Sequence, residues 1–229
     1  MIKENIRNIR EQIHEAAISC GRNPNEIVLC AATKMNNADN IRLAIEAGID
    51  CCGENKVQEL VQKLSENAYS GVPVHFIGHL QTNKVRQVVG IVDLIQSVDS
   101  LRLLEAIQKE AKQKSIIQNV LLEINIGSEE SKSGFAIGEI HKICEKMTEY
   151  PNIRVKGFMT IPPISQNSEK NRNFFQEMYN LSVDITAKKY DNVLVDILSM
   201  GMSDDFTEAI ACGSTMVRIG TGIFGPRNY

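Results

Sequence analysis

Eight short runs rich in β-branched residues recur along the chain, and stretches with helical periodicity lie between them. That alternation leaves few ways to fold. The runs lie near Ile27–Thr33, Asp50–Cys52, Pro73–Gly78, Val92–Ser97, Asn119–Ile126, Ile153–Thr160, Val193–Met200 and Thr215–Gly220. Several are nearly continuous apolar segments, as strands covered on both faces must be. Val57, Leu60, Val61 and Leu64 fall at helical spacing, as do Leu101, Leu104 and Ile107. Ile137, Ile140, Cys144 and Met147 form another stripe, and Phe174, Met178, Leu181 and Ile185 a further one. A helix precedes everything, with Ile2, Ile6, Ile9 and Ile13 on one face and Gly21 as its stop. A leading helix and eight strand–helix units predict an α/β fold, a (β/α)8 TIM barrel with an additional N-terminal helix. A doubly wound open sheet is the rival. No long linker or low-complexity segment interrupts the 229 residues, so residues 1–229 are expected to form a single domain.

Composition removes several function classes. The net charge of −3 gives no electrostatic case for a nucleic-acid or membrane partner, although a phosphate site can still be locally basic. No apolar run approaches the roughly 20 residues needed to span a bilayer. Met1-Ile2-Lys3-Glu4-Asn5 carries charge early and lacks a signal-peptide core, so a cytoplasmic location is expected. Cys20, Cys30, Cys51, Cys52, Cys144 and Cys212 show no framework spacing and read as free thiols. His14, His75, His79 and His141 show no metal-ligand spacing and read as structural, so no metal is expected. No extended apolar stripe is left over, which favours a monomer.

In a barrel of this kind the active site lies at the C-terminal ends of the strands. Lys34 follows the first strand, Asn55 the second, His79 the third, Asp99 the fourth, Asn125 the fifth, and Thr160 ends the sixth. A lysine desolvated at a barrel mouth becomes a nucleophilic amine able to condense with an aldehyde. Read from its position alone, Lys34 fits a solvated surface lysine past a strand end better, since most lysines are solvated. The last two strand ends change the balance. Ser199-Met200-Gly201-Met202-Ser203-Asp204-Asp205 is a Gly-containing turn entering a helix, with Ser203 placed to cap it. Arg218-Ile219-Gly220-Thr221-Gly222 is a second Gly-rich turn. Loops after strands seven and eight of barrels often hold phosphate, and together these two point to a phosphate site. Asp204 and Asp205 would repel a phosphate, so they are expected to point away from it.

These motifs, with Ala32-Thr33-Lys34, Gly53-Glu54-Asn55-Lys56-Val57-Gln58-Glu59, His75-Phe76-Ile77-Gly78-His79-Leu80-Gln81-Thr82-Asn83-Lys84 and Ser97-Val98-Asp99, run nearly the length of the chain. As a set they resemble the pyridoxal phosphate (PLP) homeostasis family, similar to the N-terminal barrel of alanine racemase. The resemblance implies PLP at the barrel mouth, held as a Schiff base on Lys34. It implies Arg218 facing the pyridine nitrogen, Asn55 near the ring, and Ser203, Gly220 and Thr221 on the phosphate with Ser199 close by. It implies a carrier for intracellular vitamin B6 rather than a dedicated catalyst, with PLP-dependent apo-enzymes as its partners. Arginine stays protonated and surrenders no proton to the ring, which disfavours many PLP reactions but not racemisation. A racemase of this kind needs a second domain and a tyrosine base. None of Tyr69, Tyr150, Tyr179, Tyr190 and Tyr229 lies at a clear strand end. An amino-acid racemase and a Schiff-base aldolase remain the alternatives.

Overall fold

The computed structural model describes residues 1–129, 132–163 and 168–226. Its strands are β1 (Val28–Ala32), β2 (Cys51–Glu54), β3 (Val74–Phe76), β4 (Leu94–Val98), β5 (Gln118–Glu123), β6 (Ile153–Met159), β7 (Val193–Ser199) and β8 (Met216–Ile219). They pair in sequence order, all parallel, and β8 pairs with β1 to close the barrel. All eight expected runs are therefore strands, and the open-sheet rival is excluded. The second runs on to Glu54, which places that carboxylate at the strand's last position.

The helices are α1 (Ile2–Ser19), α2 (Ala38–Glu46), α3 (Val57–Ser65), α4 (Leu101–Gln113), α5 (Ile140–Lys146), α6 (Ser168–Lys188), α7 (Phe206–Ala211) and α8 (Thr221–Phe224). Ile6, Ile9 and Ile13 of α1 are buried as expected, and that helix packs against α7 and α8. Side chains start two of the outer helices. Asn37 accepts from Asn40 N at α2, and Ser100 accepts from Leu103 N at α4.

Two units depart from the expected pattern. After β3, Thr82–Gln87 winds as a 3-10 helix instead of an α-helix, seating Val85, and Val88 and Val89 beyond it, in the core. The stripe from Ile137 to Met147 is split into α5 flanked by two 3-10 turns, Ile137–Glu139 and Met147–Glu149. On α3, Val61 faces solvent while Lys63 is buried.

Most apolar side chains fill the layer between sheet and helices. Inside the barrel the fill is smaller: Leu94, Leu121 and Met159 form one group, and Cys30, Cys51 and Met216 another. No helix among the described residues is long and apolar enough to cross a membrane.

Candidate functional site

A cavity of about 600 Å3 opens at the C-terminal ends of the strands. Its lining includes Ala32, Lys34, Asn55, Ile77, Ile161, Met202, Ser203, Asp204, Arg218, Gly220 and Thr221. Lys34 also borders a smaller recess of about 230 Å3 that shares Ala32, Gly220 and Thr221 with it. The lysine is half-buried, two residues past the end of β1. Six of the seven side chains and glycines singled out in the sequence thus meet around one space. They reach it from strands far apart in the chain, because barrel closure makes β1 and β8 neighbours.

Arg218 is the buried cation of this site. Its guanidinium donates to Ser199 Oγ at 2.6 Å and to the Thr160 carbonyl at 2.8 Å, so the ends of β6 and β7 hold it rigid. Burial pulls it below its ordinary value, but a guanidinium starts so high that it remains charged. Ser199 lies one layer deeper than the other six. It is fully buried, its hydroxyl donates to Gln96 Oε1 at 2.6 Å while accepting from Arg218, and it does not line the cavity. Its place is beneath the arginine.

Ser203 lines the cavity but does not cap a helix. α7 begins only at Phe206, and the Ser203 hydroxyl instead accepts from Gly222 N at 3.2 Å and from Thr221 Oγ1 at 3.1 Å. The two turns expected to form an anion site are therefore stitched together through this one oxygen. The two aspartates divide. Asp205 turns back to accept from Met202 N at 2.6 Å, while Asp204 is among the residues that border the cavity.

Asn55 is held by close approach. A Cβ on Gly78 would lie 2.2 Å from the Asn55 carbonyl oxygen, so only glycine lets β3 pass this near the end of β2. The Asn55 Oδ1 atom is buried and has no hydrogen-bond partner. A buried polar atom in that state is costly unless something supplies the missing partner. An amine, a hydrogen-bonding amide, a buried guanidinium and a hydroxyl-lined glycine turn around one cavity fit a small, phosphorylated aromatic aldehyde.

A second cavity of about 340 Å3 adjoins the first through Asn55, Ile77 and Ile161. It is bordered by His79, Glu123, Asn125 and Lys132. His79 is largely exposed and its Nδ1 lies 3.1 Å from Asp99 Oδ2. Burial, reinforced by Asp99, pushes the Glu123 carboxyl up to about 7. Thr160 and Asn125 serve the scaffold: Thr160 Oγ1 donates to the Ile124 carbonyl, and Asn125 Nδ2 to the Glu129 carbonyl.

Sequence reasoning missed three features. Glu123 ends an apolar strand and carries no motif of its own. Lys63 donates to Glu54 Oε2 at 2.6 Å, to Glu59 Oε2 at 2.9 Å and to the Thr33 carbonyl at 2.9 Å, directly behind Lys34 and Asn55. Only the exact four-residue offset from Glu59 to Lys63 hinted at it. Cys30, Cys51 and His75, far apart in sequence, come together inside the barrel.

The comparisons agree with this geometry. Residues 1–228 match the family described as alanine racemase, N-terminal domain. A pyridoxal phosphate homeostasis protein of Aquifex aeolicus is 41% identical over 99% of this chain and 98% of its own length. One of Escherichia coli is 41% identical over 100% of this chain and 97% of its own. The structure of PipY from Synechococcus elongatus with PLP bound superposes with a TM-score of 0.85 at 27% identity, covering 98% of this chain and 100% of that one. The chain belongs to the alanine racemase N-terminal domain family, among the relatives named pyridoxal phosphate homeostasis proteins.

Proposed function

We propose that residues 1–229 form a single domain that binds pyridoxal 5'-phosphate and buffers its intracellular supply, with Lys34 as the covalent anchor. The observation that carries this reading is the convergence of Lys34, Asn55, Arg218 and the Ser203–Gly220–Thr221 turn on one cavity. When bound, the cofactor supplies an aldehyde that an amine can capture reversibly as a Schiff base. Lys34 supplies that amine. The hydroxyls of Ser203 and Thr221 and the backbone of Gly220 hold the phosphate by hydrogen bonds. Arg218 would face the pyridine nitrogen as a donor that keeps its own proton, and Ser199 and the Thr160 carbonyl fix the guanidinium's angle. Asn55 steadies the ring from the β2 side.

We read the protein as a carrier and not a dedicated catalyst. Among the described residues, Tyr69 is buried with its hydroxyl on Glu54, Tyr150 is buried, and neither these nor Tyr179 and Tyr190 line the cavity. Tyr229 lies outside the described residues. Among the described residues no tyrosine is thus placed to share proton exchange with Lys34. The naming of the relatives as homeostasis proteins supports the same reading. In this account the protein acts in the cytoplasm as a monomer and passes the cofactor to apo-enzymes that require it. Titration of the purified protein with PLP tests it. A saturable yellow absorbance at one cofactor per chain is expected, together with no chiral conversion of single L-amino acids on prolonged incubation. A chain that takes up no cofactor overturns the proposal, and turnover of an amino acid replaces the carrier with an enzyme.

A further inference from the structure

The interior of the barrel holds a second group of reactive side chains that cofactor binding does not use. Cys30 on β1, Cys51 on β2 and His75 on β3 stand on three consecutive strands, and the parallel register sets Cys30 directly beside Cys51. Their potential ligand atoms all lie within 4.8 Å of one another. Cys51 Sγ is 3.6 Å from His75 Nδ1. The three residues are 0%, 2% and 7% exposed. Met216 on β8 packs against both cysteines, and its sulfur accepts from Gln96 Nε2 at 3.1 Å. The same Gln96 nitrogen lies 2.9 Å from His75 Nδ1, so thioether and imidazole face one another across a single amide.

We propose that Cys30, Cys51 and His75 form a binding site for a soft, closed-shell cation, Zn2+ or Cu+, inside the barrel, with the Met216 sulfur as its neighbour. Two thiolates and an imidazole are the donor set that such ions select. Zinc–sulfur and zinc–nitrogen bonds of about 2.3 and 2.0 Å set neighbouring donors roughly 3.5 to 3.8 Å apart in a tetrahedral site. The Cys51–His75 separation already lies in that range, and the remaining pairs, all within 4.8 Å, need to close by at most about 1.3 Å. Strands of a closed barrel cannot drift apart, so the three donors are held together before any ion arrives. The thioether suits Cu+ better than Zn2+.

The step balances without an electron transfer. Each thiol releases its proton to solvent as its sulfur lone pair goes to the ion, and the imidazole gives the lone pair that now faces Gln96 Nε2. Zn2+ with two thiolates leaves the local charge unchanged. Cu+ with two thiolates lowers it by one, which offsets the buried Arg218 cation nearby. The site is separate from the Lys34 cavity, since none of its three ligands lines that space.

The test loads the whole reduced protein with Zn2+ in one arm and Cu+ in the other. Each ion is added to folded protein and, separately, during refolding from urea; weakly held ion is then stripped with a chelator and the retained metal counted. The expected result is close to one ion per chain in at least one arm, and the arms identify which. Cys51→Ser lowers retention at least about tenfold, whereas Cys20→Ser, on the exposed cysteine, leaves it unchanged. Co2+ offered in place of Zn2+ to the wild-type chain gives thiolate charge-transfer absorbance, which keeps the proposal testable even if the cysteine variant fails to fold. No retained ion in either arm, retention unaffected by Cys51→Ser, or bound Co2+ without a thiolate signature overturns it.

Discussion

Lys63 Nζ lies 2.6 Å from Glu54 Oε2, an ion pair closed off from solvent behind the mouth of the barrel. Glu54 also accepts from Thr33 Oγ1 at 3.1 Å, Tyr69 Oη at 3.2 Å and Asn55 N at 2.7 Å. Thr33 precedes Lys34 and Glu54 precedes Asn55, so one carboxylate fixes the backbone behind two residues of the candidate site. Removing one partner strands the other charge in the interior. Lys63→Met should destabilise the protein by about 3–5 kcal/mol. Glu54→Gln combined with Lys63→Met should cost clearly less than the sum of the single changes. Urea unfolding of the three variants measures both effects, and additive losses would show that the pair is not coupled.

Arg218 owes its orientation to Ser199, through the 2.6 Å hydrogen bond beneath the cavity. Ser199→Ala should therefore weaken cofactor binding although Ser199 does not line the cavity. The lost bond is to a charged group and is worth roughly 1.5–3 kcal/mol, so affinity should fall about tenfold or more. Arg218→Glu should alter the absorbance of the bound cofactor, because the proposed hydrogen bond to the pyridine nitrogen could no longer form. Parallel PLP titrations of the two variants check this, and an unaltered spectrum in Arg218→Glu would remove that contact from the account.

Gly78→Ala should displace Asn55, since the new Cβ would meet the Asn55 carbonyl oxygen at 2.2 Å. Overpacking of this kind costs about 1–3 kcal/mol. The midpoint of thermal unfolding and the affinity for PLP should drop together. A variant as stable as wild type with unchanged affinity would mean that β3 can yield there.

Glu123 makes stability depend on pH. Its carboxyl stands at about 7 in the folded chain against 4.5 when free, raised by burial and by Asp99. The folded state therefore holds a proton that the unfolded state loses between those values. This contribution is fully present below 4.5 and disappears as pH rises through about 7. Its upper bound is about 3 kcal/mol at 1.36 kcal/mol per pH unit. Glu123→Gln should therefore gain stability relative to wild type as pH rises across that window. Denaturant midpoints of the two proteins at pH 4.5, 6 and 8 report the difference, and a constant gap would place Glu123 in an ordinary environment.

The barrel was legible because doubly covered parallel strands read as apolar runs, and the turn after β7 carries Gly201, whose positive φ and close approach to Phe206 and Ala209 leave no room for a side chain. Lys34 and Arg218 were legible as polar residues at strand ends. What stayed hidden depends on direction, not composition. Beyond the Glu59–Lys63 offset, α3 carries no mark that Lys63 faces inward and Val61 outward, because the partner that makes this favourable, Glu54, sits on another element. Ser203 looked like a helix cap, but the hydroxyl is taken by the turn after β8, a contact that exists only once the barrel closes. Cys30, Cys51 and His75 share no spacing, and only strand register brings them together. Ser199 stood in the right motif, one layer below the place its sequence position suggested.

Borohydride reduction of the PLP-loaded protein, followed by peptide mass mapping, bears most directly on Lys34. The account requires the reduced pyridoxyl group on the peptide containing Lys34, and its disappearance in a folded Lys34→Ala variant. A label on any other lysine, or one that persists when Lys34 is replaced, would contradict it.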